Sequence, residues 1–151
     1  MRRPGRTVWE DWKLALSHAI YACGVRVLTT DAADADAFAI EVAAAAGEAD
    51  AGFALVFFSQ ALVAARDLAG AFARHAPTLR YAGCSTAGEI TPEGLAEGHA
   101  VAILFPSASF AVAPSMIHDL SASGIDAIAG EVERLKQRLA AEGANRSGQV
   151  F

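Results

Sequence analysis

The chain of 151 residues has room for one domain and little more. Its 54% hydrophobic share comes largely from alanine, about a quarter of the residues, and alanine carries little transfer energy. With 19% charged residues and two cysteines, Cys23 and Cys84, this composition excludes intrinsic disorder, collagen-like or mucin-like polymers and a disulfide scaffold.

A net charge of −5 argues against a general nucleic-acid binder. The charge is uneven. Arg2, Arg3, Arg6, Lys13 and Arg26 outnumber Glu10 and Asp11 over residues 1–30, whereas residues 31–60 carry acids and no base. The apolar tracts 37–46 and 100–105 are interrupted or too short for the roughly 20 residues of a membrane span. The basic start is followed by Glu10, Asp11, Trp12 and Lys13, where a secretory core would lie. No signal peptide and a reducing, cytoplasmic setting are expected.

Residues 1–24 read as a basic, helical extension. Over residues 8–22, Trp9, Trp12, Leu16 and Ile20 (or Ala19) share one side of a helix ended by Gly24. From residue 25 the pattern alternates. Residues 25–30 are a β-branched strand, and Asp31, Asp34 and Asp36 then suit the positive end of an alanine-rich helix that stops near Gly47. Residues 53–58 form a continuous apolar run, as in a strand buried on both faces. Ser59 is placed to cap a helix running to Ala76, with Leu62, Ala65, Leu68 or Ala69, Phe72 and Ala76 inward and Pro77 as its stop. Residues 79–83 read as a third strand.

Two strand–helix–strand units in succession favour parallel pairing. Residues 100–105 and 110–114 then read as an antiparallel hairpin. Ile125, Ile128, Val132, Leu135 and Leu139 define an amphipathic helix opened by Ser121 or Ser123 and closed near Gly143. Val150 and Phe151 look like the first steps of another strand. Residues 25–151 are therefore expected to form an α/β domain. Its mixed sheet, parallel βαβ units followed by an antiparallel hairpin, is flanked by helices and incomplete at its carboxyl end.

The segment richest in chemistry is residues 81–90, YAGCSTAGEI. It is expected to carry a strand into a loop where Gly83 and Gly88 permit close backbone approach and main-chain amides converge on a ligand oxygen. Thr30 and Ser59 end the other two strands, so their hydroxyls should reach the same carboxyl edge, where open α/β sheets bind ligands. The ordinary alternative is turn chemistry after a strand. The segment is no P-loop, because Glu89 and Ile90 stand where Lys and Ser or Thr are needed, and no dinucleotide fingerprint follows a strand.

Preceded by an apolar strand and an amphipathic helix and followed by the hairpin over residues 100–114, YAGCSTAGEI resembles the amino-terminal half of the FIST domain, with GCSTAGEI its most specific element and the likeness covering residues 25–151. The resemblance implies a non-enzymatic module that senses a small ligand, such as an amino acid, in intracellular signal transduction. Its ligand contacts would come from Cys84, Ser85, Thr86, Ala87, Gly88 and Glu89, with Thr30 and Ser59 at the rim. It also implies a carboxyl-terminal FIST region or a signalling output domain beyond this chain. Residues 1–24 have no counterpart in the family.

Two other readings stand beside it. Cys84 as a thiolate nucleophile would need a base such as His75, His99 or His118, but a thiol ending a buried strand is more often a small core residue. Alternatively, the chain is a fragment that docks a partner, or a second copy, through an open sheet edge. Cys23 reads as packing. The four histidines, His18, His75, His99 and His118, lack metal-ligand spacing and read as structural, with His75 at a helix end and His118 closing a strand. Neither metal nor cofactor is expected. Glu89 either takes a ligand amine or faces water, and the acids Asp34, Asp36, Glu48 and Asp50 read as a solvated face.

Overall fold

The computed structural model describes residues 16–142. It holds an α/β arrangement in two compact units, one up to Ser109 and one from Phe110 onward. The first unit contains β1 (Leu16–Ile20), β2 (Arg26–Thr30), α1 (Ala35–Ala49), β3 (Ala51–Ser59), α2 (Ala65–His75), β4 (Tyr81–Thr86), β5 (Glu89–Thr91), β6 (Gly94–Ala96) and β7 (Ala100–Pro106).

Five strands form a mixed sheet in the order β1-β2-β7-β3-β4, and β5 and β6 make a separate two-stranded ribbon. Only β3 and β4 are paired in parallel, from Ala54 opposite Tyr81 to Ser59 opposite Thr86. Between β2 and β3 lies β7, antiparallel to both, with Leu28 and Val56 each opposite Ala102. The expected hairpin over 100–114 is therefore corrected. Its first half is a central strand, and residues 110–117 are not strand. The seven-residue sequence AVAILFP is apolar throughout, which suits a strand with neighbours on both sides. The same insertion means that β2 and β3 are not hydrogen-bonded to each other.

The extension is corrected as well. Residues 16–20 are strand, not helix, paired antiparallel with β2 from Leu16 opposite Thr30 to Ile20 opposite Arg26. Tyr21 N donates to Val25 O at 2.9 Å to close the intervening turn. Trp9 and Trp12 lie outside the described residues, as do Val150 and Phe151 with the strand expected there.

The core sits between α1, α2 and one sheet face. Leu28, Ala54, Val56, Phe58, Ala100, Ala102 and Leu104 from the strands meet Phe38, Ala39, Val42, Ala45 and Ala46 of α1 and Leu68, Ala71 and Phe72 of α2. The α1 positions follow helical spacing, and the alanines bring its backbone close to the sheet. Phe72 is fully buried, with its ring edge-on to Phe38 (centroids 6.3 Å apart) and tilted against Tyr81 at 4.8 Å. On α2 it is Leu68, not Ala69, that turns inward, and Ala65 is exposed. Ala39, Ala71, Ala100 and Ala102 are all at or below 1% exposure, so the core itself is partly built from alanine.

Helix ends follow local chemistry. Asp34 caps α1, its Oδ1 accepting from Ala37 N at 2.9 Å. The helix runs past Gly47 to Asp50, which takes the left-handed conformation at φ 47°. By contrast, Ser59 does not cap α2, since it lies five positions before the cap residue, Ala64, which has no side-chain hydrogen bond. Ser59 Oγ instead accepts from Ala61 N at 3.3 Å, the local turn that short hydroxyl side chains favour.

In the second unit, α3 (Leu120–Glu142) is interrupted at Gly124, whose φ of 63° and ψ of 161° are open to glycine and costly for other residues. Ser123 Oγ donates to the Asp119 carbonyl at 2.9 Å just before that break. Ile128, Leu135 and Leu139 are half-buried, whereas Ile125 is 84% and Val132 45% exposed. Along α3, Glu131 pairs with Arg134 and accepts from Ser115 Oγ. His118 does not close a strand, because residues 111–117 have no regular structure. No helix among the described residues is long and apolar enough to cross a membrane.

Candidate ligand-binding site

Residues 81–90 are more ordered than a loop. Strand β4 continues through Gly83, Cys84, Ser85 and Thr86, so the three polar side chains ride on an edge strand. Gly83 is there because β4 crosses β3 closely: a Cβ at this position would stand 2.0 Å from the Val56 carbonyl oxygen. Ala87 and Gly88 make the bend into β5.

Glu89 is the main surprise of this segment. It does not face water but is 2% exposed, among the largest fully buried side chains. Thr86 Oγ1 donates to its Oε1 at 2.6 Å, and His99 N donates to its Oε2 at 3.2 Å. A buried carboxylate needs such donors to offset its desolvation. The His99 carbonyl in turn accepts from Ser59 N at 2.9 Å. Ser59, Thr86, Glu89 and His99 thus form one hydrogen-bonded cluster that ties β3, β4, β5 and the start of β7 together.

The remaining residues of the expected site divide between two cavities. Cys84 and Ser85 line one of about 250 Å³, beside Val56, Phe58, Leu68 and Phe72. It is mostly apolar, and Gln60 Nε2 donates to Ser85 Oγ at 3.1 Å at its side. Cys84 and Cys23 are both exposed, which corrects their expected place in the core. Thr30 lines a different cavity, and its Oγ1 accepts from Ala32 N at 3.1 Å.

That second cavity, about 360 Å³, is the more polar. It lies among the start of β1 (Leu16, Ser17), the end of β2 (Thr29, Thr30, Asp31), the β5–β6 ribbon (Thr91, Glu93, Leu95, Ala96) and His99. The ribbon turns over Pro92 and Glu93, with Thr91 Oγ1 donating to the Gly94 carbonyl at 2.9 Å. Ser17 Oγ donates to Glu93 Oε1 at 3.1 Å and so links β1 to that turn.

Glu93 is held below the usual carboxylate range, first by its own backbone amide and then by the Ser17 hydroxyl. Among the described residues, Asp31 and Glu93 line the cavity and no lysine or arginine does. Among the described residues, no group of three or more His, Cys, Asp or Glu side chains is placed to hold a metal ion.

Thr29 is the residue that the sequence did not mark. It is 5% exposed, lines the cavity, and its hydroxyl is buried without a hydrogen-bond partner among the described residues. A buried hydroxyl left unpaired costs about 1–3 kcal/mol. Thr91 and Glu93 were equally unmarked, whereas Asp31 was read only as an acid at a helix start and His99 as a structural residue or a base for Cys84. The segment Thr91-Pro92-Glu93-Gly94 did carry a signal, the proline-and-glycine chemistry of a tight turn.

The family model described as the FIST N domain matches residues 52–150. The FIST domain is a sensory module of signal transduction. No curated protein and no solved structure matches the chain.

Proposed function

We propose, from the premise that this chain belongs to the FIST N domain family, that it is a non-enzymatic sensory module whose input is a small metabolite, amino acids among the classes to test. The ligand is held in the cavity at the carboxyl end of β2. Cys84 and Ser85, which were expected to touch it, line the separate apolar cavity beside α2. A cytoplasmic setting, a domain beginning near residue 25 and an output region outside this chain belong to the same proposal.

One observation carries it: the polar cavity of about 360 Å³ at the carboxyl end of β2, walled by Thr29, Thr30, Asp31, the β5–β6 ribbon and His99. That volume is within the range of sites that enclose small molecules. Family membership supplies the sensory role, and the cavity supplies a location for its input.

Catalysis through Cys84 has less support. The thiol is exposed, but His75 Nε2 bonds Asp36 at 2.7 Å and His99 Nδ1 bonds the Glu97 carbonyl at 2.9 Å. Both ring atoms are thus engaged away from the thiol.

The test is a thermal-shift screen of the full chain against amino acids and other small metabolites. A ligand present at a hundredfold excess over its Kd raises stability by about 2.7 kcal/mol, enough to move the melting point clearly. The shift should persist in Cys84→Ser. A panel in which no compound moves the melting point removes the sensor reading, and a shift lost in Cys84→Ser returns the thiol to consideration.

A further inference from the structure

The β5–β6 ribbon has its polarity reversed. Ile90 and Leu95 stand opposite each other across it and are 83% and 81% exposed. Glu89 and Thr91, the neighbours of Ile90 on either side, point to the other face and are buried. A single exposed leucine needs no explanation, but an opposed apolar pair does when a glutamate and a threonine take the inward positions. Directly paired residues on one face lie about 5 Å apart, so the two side chains make one apolar surface.

We propose that this outward face is the docking surface for the chain's own leading segment, residues 1–15, with Trp9 and Trp12 as its anchors. The segment joins the sheet beside the ribbon. It enters β1 at Leu16, which lines the same cavity as Leu95, and the hydroxyl of the next residue, Ser17, donates to Glu93 in the ribbon turn at 3.1 Å. Four residues of chain reach at most about 14 Å, so Trp12 is tethered close to Leu16. An indole ring is large and apolar and matches the Ile90–Leu95 pair in kind. Charge favours the same pairing. Arg2, Arg3, Arg6 and Lys13 outnumber Glu10 and Asp11 in the segment, whereas Asp31 and Glu93 stand exposed around the cavity that Leu95 lines. The proposal does not depend on what the cavity binds.

Both tryptophans of the chain are in this segment, so its own fluorescence reports the docking without a label. In the full chain the emission should lie to the blue of free tryptophan and be shielded from acrylamide. Ile90→Ser and Leu95→Ser should each move the emission to the red and raise the quenching constant severalfold. Neither side chain is buried, so the fold should survive both changes, which far-ultraviolet circular dichroism checks. Ile20→Ser, at the far end of β1 and also exposed, should leave the emission unchanged.

Tryptophans in the parent that acrylamide quenches as readily as the free amino acid overturn the proposal, as does emission that is indifferent to both ribbon variants. A loss of shielding on dilution, matched by dissociation of a dimer in light scattering, overturns it too, because a second copy of the chain is then the occupant.

Discussion

Thr86 Oγ1 donates to Glu89 Oε1 at 2.6 Å across the bend that joins the edge strand β4 to the β5–β6 ribbon. Through this contact and the His99 amide, a fully buried carboxylate fixes where the ribbon sits relative to the sheet. The ribbon supplies Thr91, Glu93, Leu95 and Ala96 to the candidate ligand cavity. A residue expected to touch ligand thus acts as a support for the residues that line the cavity.

Thr86→Val should destabilise the protein by about 1–3 kcal/mol, because it leaves one oxygen of a buried carboxylate without its donor. Glu89→Gln should cost less, since the amide can still accept from the His99 amide and carries no charge to desolvate. Urea unfolding of the two variants checks the order. A Thr86→Val protein as stable as the parent contradicts the supporting role of this pair.

Gly83→Ala places a methyl group where the Val56 carbonyl oxygen would be 2.0 Å away. The β3–β4 pair must separate locally to admit it. A loss of about 3 kcal/mol is expected, the upper end of the range for overpacking. The urea midpoint reports it, and an unchanged midpoint means that β4 does not run so close to β3.

Phe72→Ala removes a fully buried ring that contacts both Phe38 and Tyr81. The expected cost is about 3–5 kcal/mol from lost burial and the cavity left behind. Calorimetric unfolding measures it directly. A loss below 1 kcal/mol (roughly the cost of a surface change) contradicts the docking of α2 on the sheet.

Asp36 gives the stability a pH signature. Its carboxyl is held below the usual range of an aspartate, first by the hydrogen bond from Arg74 and next by that from His75. The folded state therefore holds this proton less tightly than the unfolded chain does. The resulting stabilisation is present above the unfolded value and is lost as pH falls through the lower folded value. Below about pH 4 the parent protein should lose stability more steeply than Asp36→Asn. Parallel urea titrations at several acid pH values check the difference, and identical slopes contradict the ion cluster.

Much of the first unit was legible because its signals are local. Asp34 before an alanine run marks the start of α1, Pro77 marks the end of α2, and the run from Phe53 to Phe58 marks β3. GCSTAGEI also carried enough specificity to indicate the family. What failed to show depends on contacts between distant residues. Nothing near residue 100 says that β7 inserts between β2 and β3, although its unbroken apolar sequence fits a central strand. The segment LSHAI could join a helical stripe with Trp9 and Trp12, and only its register with β2 makes it a strand.

The same limit explains the candidate site. Thr29 is an ordinary β-branched strand residue in sequence, and its missing partner is a property of the assembled fold. Glu89 is polar and follows Gly88, so it reads as surface. Its burial depends on donors from Thr86 and from His99, ten residues onward.

The central claim is that the cavity at the carboxyl end of β2 holds a ligand, and Ala96→Leu tests it most directly because it adds side-chain volume at a residue of the cavity wall. The melting points of the parent and the variant are measured with and without the strongest ligand from the metabolite screen. The ligand should raise the melting point of the parent and should raise that of the folded variant much less. A folded variant that keeps the full ligand-induced shift contradicts the assignment.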